Sequence, residues 1–288
     1  MKSYNQEIIG CIAIFTFLIF IRIQKLQTSF EHQSTEPSKS TESSKLQKLW
    51  EKRVEKRNSF ITENNVRDWG TDNGLGRVWD IFFPDWHCPY AERLGRAGDG
   101  GKWVCNYEEF ITTKDCVVYS LGLFNNDEFE RSIHEAAPQC DIHSYDPTKR
   151  VMTEFHMDEV LDAYGAHFHH VGITGNGNPI NIEGDDVPTM TLKQAMEKND
   201  HTQLSILKVD IEFSEWDLFD QMLCDLNEPS CQPLPTDLVL LELHFRSAAE
   251  VVSLFEKMAQ HGFGIFEMEP NPIAYPLATE YAFVRVKK

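Results

Sequence analysis

An α/β fold is predicted, built as a doubly wound and mostly parallel sheet, and three observations predict it. From about residue 115, short β-branched runs alternate with helix-like stretches, the pattern of βαβ units. Several runs end in polar or acidic residues, as strands do when their carboxyl ends open into a ligand crevice. The chain has 288 residues, 41% of them hydrophobic, enough to pack a core around such a sheet.

The amino terminus is a separate device. Residues 8–21, IIGCIAIFTFLIFI, carry no charge and are closed by Arg22 and Lys25. That is short of the roughly 20 residues a membrane span needs, but Ile23 and Leu26 extend it if both cations reach back to the headgroups. No small-residue cleavage site follows, so 1–27 reads as an uncleaved signal anchor. The Ser-, Thr-, Glu- and Lys-rich stretch 28–45 has little to bury, and 45–60 suggests a short charged helix with Leu46, Leu49 and Val54 on one side. Together 28–66 form a stem. Residues 67–288 form the globular domain, led by an irregular, Trp-rich segment over 68–114.

Within that domain strands are expected at 117–122, 141–146, 167–173, 204–211, 237–245, 263–269 and 280–286. Helices are expected at 127–137, 191–198, 214–223 and 247–262, the last closed by Gly262. The last two strands have no helix between them and can pair antiparallel. Outside the anchor six cysteines remain, without CxxC spacing, which fits disulfides better than zinc. Cys116 and Cys140 each precede a strand, Cys224 and Cys231 bracket a short loop, and Cys88 is left with Cys105. Six reduced thiols are the alternative.

Anchor, stem and cysteines place the body in the Golgi or ER lumen of a single-pass membrane protein. Heavier positive charge on the carboxyl side of the anchor argues for the opposite orientation. No N-x-[ST] acceptor is present to decide. Residues 1–67 hold 11 Lys/Arg against 7 Asp/Glu, a net +4, and 68–288 hold 16 against 38, a net −22. So acidic a body repels a phosphate backbone, and no nucleic acid partner is expected.

The strand ends nominate the site. The first strand closes on Ser120-Leu121-Gly122, the second on Asp146, the fourth on Asp210 and Glu212, and the fifth on Glu242 and His244. A carboxylate ending the second strand suits ribose hydroxyls, and Gly122 allows close backbone approach. The glycine-rich turn that a dinucleotide pyrophosphate needs is missing. Asn125, Asn126, Asp127 and Glu128 follow instead, which suits a cationic, phosphate-free ligand such as S-adenosylmethionine. His244 is the candidate base, oriented by Glu242 or Asp210. Glu215 and Asp217 read as a solvated helix face. No metal is assigned, since His87, His169 and His170 lack partner spacing. Alternatively, Asp210, Glu212 and Glu242 hold a divalent cation.

The blocks GDGGKWVC (98–105), CVVYSLG (116–122), IHSYDP (142–147), HHVGITG (169–175), TLKQAM (191–196), ILKVDIEFSEW (206–216) and EYAFV (280–284) occur in consistent order. This series resembles the FkbM-like methyltransferases, in their animal branch, over roughly 79–288. The resemblance implies a Rossmann-like class I methyltransferase using S-adenosylmethionine. It implies that Ser120 and Gly122 form the turn beneath the cofactor, that Asp146 meets the ribose, and that Asp210 lies by the methionine part. Lys102 is a candidate for the cofactor's carboxylate, with Asp99 to Lys102 folding over it. At position 213 the chain has Phe where the family pattern D-[IV]-E-G-x-E-W has Gly. If that position needs a positive φ, phenylalanine is strained there.

The expected function is O-methylation of a glycan or small hydroxylated acceptor. A Golgi-type glycosyltransferase with sugar nucleotide and manganese would use the same anchor, stem and D-I-E strand end. A methyltransferase-fold binding module without turnover is a third reading, motivated by Phe213.

Overall fold

The computed structural model describes residues 39–70, 75–98, 100–107 and 115–287. The expected anchor, residues 28–38 of the stem, and Asp99 lie outside the described residues. Residues Met1–Lys48 form one unit and Leu49–Lys288 another. No described helix is long and apolar enough to cross a membrane.

The described chain opens with helix α1 (Lys39–Glu63). A hairpin follows, β1 (Ala91–Leu94) and β2 (Lys102–Cys105). Then come β3 (Val117–Leu121), α2 (Glu128–Ala136), β4 (Asp141–Tyr145), α3 (Lys149–Thr153), α4 (Met157–Asp162) and β5 (His167–His169). Short strands β6 (Gly172–Ile173) and β9 (Thr189–Met190) pair around a second hairpin, β7 (Ile180–Ile182) with β8 (Asp185–Val187). The chain ends α5 (Leu192–Lys198), β10 (Ile206–Val209), α6 (Glu215–Met222), β11 (Leu238–His244), α7 (Ala248–Gln260), β12 (Phe263–Pro270) and β13 (Ala278–Arg285).

Seven strands form the main sheet in the order β12-β13-β11-β10-β3-β4-β5. The five from β11 to β5 run parallel, and β13 is antiparallel to both neighbours. Compared with the dinucleotide fold, whose order is 3-2-1-4-5-6, an antiparallel last strand is inserted between the fifth and sixth. The order reverses between β3 and β10, so the switch point lies at their carboxyl ends. Both faces are covered, which makes the sheet doubly wound. One face packs Leu192 and Met196 of α5, Phe219 of α6, and Val251, Val252, Phe255 and Met258 of α7. The other packs Phe129 and Ile133 of α2, Leu161 of α4 and Val104 of the first hairpin.

The helix caps are local. Thr191 and Gln194 make a reciprocal capping box at α5. Ser247 accepts from the Glu250 N–H at α7, and Gly262 (φ +83°) takes the left-handed turn that ends it.

Four details differ from expectation. The segment 167–173 is two strands, because a tight turn from the Val171 N–H to the His169 carbonyl (2.8 Å) redirects the chain toward β9. The lead-in holds a hairpin rather than only irregular chain. Helix α1 is longer than 45–60, and Leu46 and Leu49 on it are exposed while Trp50 and Ile61 are buried. Residues 49–66 therefore belong with the body rather than the stem. All three expected disulfides are formed: Cys88–Cys105, Cys116–Cys140 and Cys224–Cys231.

Candidate functional site

Parallel pairing aligns β3, β4, β10 and β11 so that every second residue shares a face, and β13 joins them antiparallel. On the face beneath the first hairpin this produces layers. Val118, Ile142, Ile206 and Leu238 form an apolar layer. Ser120, Ser144 and Lys208 lie one step further along their strands. Beyond them come Gly122, Asp146, Asp210, Glu242 and Glu280 at the carboxyl edge. The expected charge at the strand ends is therefore stacked above a dry core.

Gly122 is fixed by packing. A Cβ there would lie 1.6 Å from the Asp210 carbonyl oxygen, and its φ of +79° favours glycine. The two strand ends at the switch point thus touch backbone to backbone. Asp146 is buried; its Oδ2 accepts from the Leu123 and Phe124 N–H groups (3.1 and 2.8 Å) and its Oδ1 from the Thr148 N–H (2.8 Å). It organises the loop that Gly122 begins. Ser120, by contrast, donates its hydroxyl to the fully buried Glu130 of α2. Its side chain faces α2 beneath the turn.

Lys102 lies among three carboxylates. Its Nζ is 2.5 Å from Glu280 Oε1, 3.7 Å from Asp210 Oδ2 and 3.9 Å from Glu242 Oε2. Burial by itself would lower its pKa, but Glu280, Asp210 and Glu242 outweigh burial and hold the ammonium charged. This cation is already neutralised and buried, so it is not a free partner for a ligand carboxylate. Burial raises Glu242 to about 9, helped by Asp210 and Glu280, and Asn271 donates to it at 2.7 Å. Asp210 goes the other way. Burial would raise it, yet Lys102 and Lys208 pull it below the usual carboxylate range. It stays ionised and keeps 21% of its side chain exposed, the most of the three.

His244 is not the base that the strand ends suggested. Its Nδ1 lies 3.1 Å from Glu215 Oε1 and its Nε2 lies 3.2 Å from Glu212 Oε2, so its partners are these two and not Glu242 or Asp210. Burial alone would lower its pKa; the bonds to Glu212 and Glu215 raise it to about 10. An imidazolium cannot accept a proton at neutral pH. Glu215 is likewise not a solvated helix face: it is fully buried, and it also accepts the Ile211 N–H at 3.0 Å. Asp217 is exposed and accepts from the Gly175 N–H at 3.2 Å.

Phe213 does sit at a positive φ, +70°, directly after Glu212 at +50°. Its ring packs on the His244 imidazole with centroids 4.9 Å apart, an attraction that offsets part of the strain. The glycine-rich turn before β2 rests on the loop after β3. A Cβ on Gly100 would lie 2.1 Å from Asn126 Nδ2, and the Gly95 N–H donates to Ser132 Oγ at 3.0 Å.

Sequence reasoning missed Glu280, Lys208 and Asn271. Lys208 left a signal, since a lysine inside the apolar run ILKV must find a polar partner; it donates to the Gly122 carbonyl.

Residues 42–285 match a family model described as a methyltransferase domain. Among curated proteins, the chain is 27% identical over 118 residues to the probable methyltransferase-like protein 24 of Rattus norvegicus, covering 40% of this chain and 30% of that one. It is 25% identical over 123 residues to the Homo sapiens protein of the same description, covering 42% and 31%. The matched stretch thus spans under a third of those relatives' length. Among solved structures, a fibrillarin pre-rRNA processing protein from Methanococcus jannaschii aligns at 12% identity and a TM-score of 0.36, over 61% of this chain and 69% of that one. An Aeropyrum pernix fibrillarin with natively bound S-adenosyl-L-methionine aligns at 12% identity and 0.36, over 70% and 85%.

Proposed function

The chain belongs to the methyltransferase-domain family, matched from residue 42 to 285, and from that premise we propose that it is an S-adenosylmethionine-dependent O-methyltransferase. The carrying observation is the switch point, where Gly122 leaves the turn bare against Asp210 and Asp146 orders the following loop. These residues fit the cofactor. Three of the roughly four lone-pair sites on the Asp146 carboxylate are taken by backbone N–H groups, leaving one for a ribose hydroxyl. Ionised Asp210 suits a sulfonium. S-adenosylmethionine, when bound, supplies an electrophilic methyl group.

The chain's own residues bind and orient more than they move protons. Asp210 attracts the positive end of the cofactor. Lys102 keeps the neighbouring carboxylates from repelling one another, and Glu242 remains protonated at neutral pH. An acceptor hydroxyl is therefore activated by water or by Glu242 once it ionises, and turnover rises with pH toward about 9. The acceptor class is a glycan or small hydroxylated molecule, favoured by the acidic body, and the setting is the lumen of the secretory pathway, favoured by three disulfides.

Calorimetric titration of the full chain in detergent with S-adenosylmethionine, S-adenosylhomocysteine, and a UDP-sugar with manganese tests this reading. Micromolar binding of the first two is expected. In Asp146→Asn the affinity should fall about tenfold or more, the value of one charge-assisted hydrogen bond. Binding of the sugar nucleotide alone would overturn the proposal in favour of glycosyl transfer.

A further inference from the structure

At the amino ends of β4 and β5, on the sheet face opposite the carboxylate layer, three imidazoles converge on one carboxylate. Asp141 Oδ1 lies 3.0 Å from His143 Nε2 and 3.3 Å from His167 Nε2, and its Oδ2 lies 3.2 Å from His201 Nε2. Asp141 and His143 come from β4, His167 pairs with His143 across to β5, and His201 follows α5. Nothing in the methyl-transfer reading uses them. Asp141 stands five residues before Asp146 along an extended strand, about 16 Å from the carboxyl edge.

The geometry points to a zinc-class divalent metal site built on Nε2 of His143 and His167 and the Asp141 carboxylate, whose donor atoms all lie within 4.8 Å of one another, with His201, on the other carboxylate oxygen, drawn in as the fourth ligand. Bonds of about 2.0–2.1 Å to a tetrahedral ion set neighbouring donor atoms about 3.3–3.4 Å apart. His143 and His167 lie 3.0 and 3.3 Å from the same Asp141 oxygen, close to that edge, while His201 lies 3.2 Å from the other oxygen.

A second observation concerns His143. Only 6% exposed, it aims Nε2 at Asp141 Oδ1 from 3.0 Å, and that nitrogen makes no hydrogen bond of good geometry among the described residues. An ion seated beside this pair would take both atoms as ligands. The outer ring is also in place. His143 Nδ1 lies 2.9 Å from His169 Nε2, and His201 Nδ1 lies 3.1 Å from the Tyr119 hydroxyl. Bonds of this kind on the second nitrogen fix tautomer and ring orientation in metal-binding histidines.

The donor set of three imidazoles and one carboxylate suits zinc over calcium or magnesium, which prefer oxygen. His167, with 58% of its side chain exposed, marks the entry path. The ion would tie β4 and β5 to the segment after α5, next to the Cys116–Cys140 bridge, in a structural role remote from the crevice.

The test uses the full chain without a polyhistidine tag, stripped with chelator and titrated with zinc chloride by calorimetry, with metal content measured after dialysis. One equivalent should bind. His167→Ala, at an exposed position, should keep the circular dichroism spectrum and weaken zinc binding by at least about tenfold; His201→Ala should do the same. Cobalt(II) should give the intense visible bands of a tetrahedral field, lost in both variants. Absence of saturable binding, or one equivalent bound equally well by His167→Ala, would overturn the site. The result is independent of S-adenosylmethionine binding, which is read separately.

Discussion

His244 and His143 are both buried, both lie on parallel strands of one sheet, and they are held in opposite states. Burial alone would lower the pKa of each. At His244 two carboxylates, Glu212 and Glu215, reverse that and fix an imidazolium. At His143 one carboxylate is shared among three histidines, and the neighbouring rings reinforce burial. The ratio of acids to imidazoles decides the charge, and the charge decides the use. A lasting cation braces the loop after β10, whereas His143 is held toward its neutral form.

The strongest way to break the contrast is to remove the buried acid at His244. Glu215→Leu leaves an imidazolium without its shielded partner and strands the Ile211 N–H, and a stability loss of about 3–5 kcal/mol is expected in urea unfolding. A loss below about 1 kcal/mol would mean that His244 is neutral in the folded chain.

A milder probe is pH. A histidine raised to about 10 binds its proton more tightly when folded, so its contribution is complete below its ordinary pKa near 6.5 and is lost as pH climbs through 10. Glu242, raised to about 9, adds a slope of the same sign from its ordinary value upward. The melting temperature should therefore fall between pH 7 and 10. Glu215→Gln should flatten that decline, whereas an unchanged slope would assign it to other groups.

The smallest effect is expected at Phe213→Gly. Releasing a left-handed phenylalanine recovers about 1 kcal/mol or more, while the lost ring contact with His244 and the added freedom of glycine take back a similar amount. A net change under about 1 kcal/mol in denaturant midpoint is predicted. A larger loss would make the ring the main support of the imidazolium.

The parts of the fold legible in the sequence were those with local causes. VVYSL, DIHSY and LVLLELH are short, largely apolar runs bounded by polar residues, and α5 and α7 carry their caps. The short helices α3 and α4 are five and six residues long, too brief to show a period. Gly122 and Asp146 could be found because each ends a recognisable strand. The charge network could not, because its pairs are distant: Lys102 meets Glu280 across 178 residues and His244 meets Glu215 across 29. His201 reaches Asp141 from a loop with no spacing that links the two. Reading Glu215 and Asp217 together as a solvated helix face missed that α6 turns Glu215 inward while Asp217 stays exposed.

Asp85 bears on how this body can be released from whatever precedes it. That buried carboxylate accepts from Trp50 Nε1 at 3.1 Å and the Ile265 N–H at 2.9 Å and pairs with Arg57 at 2.6 Å, while Arg53 reaches its carbonyl at 2.8 Å. A shortened form that keeps the body intact has to begin ahead of Trp50. Cleavage after residue 66 would discard three of those donors and leave the buried carboxylate without its arginine, so a truncated form that still binds its ligands should carry the Trp50–Arg57 turns at its new amino terminus.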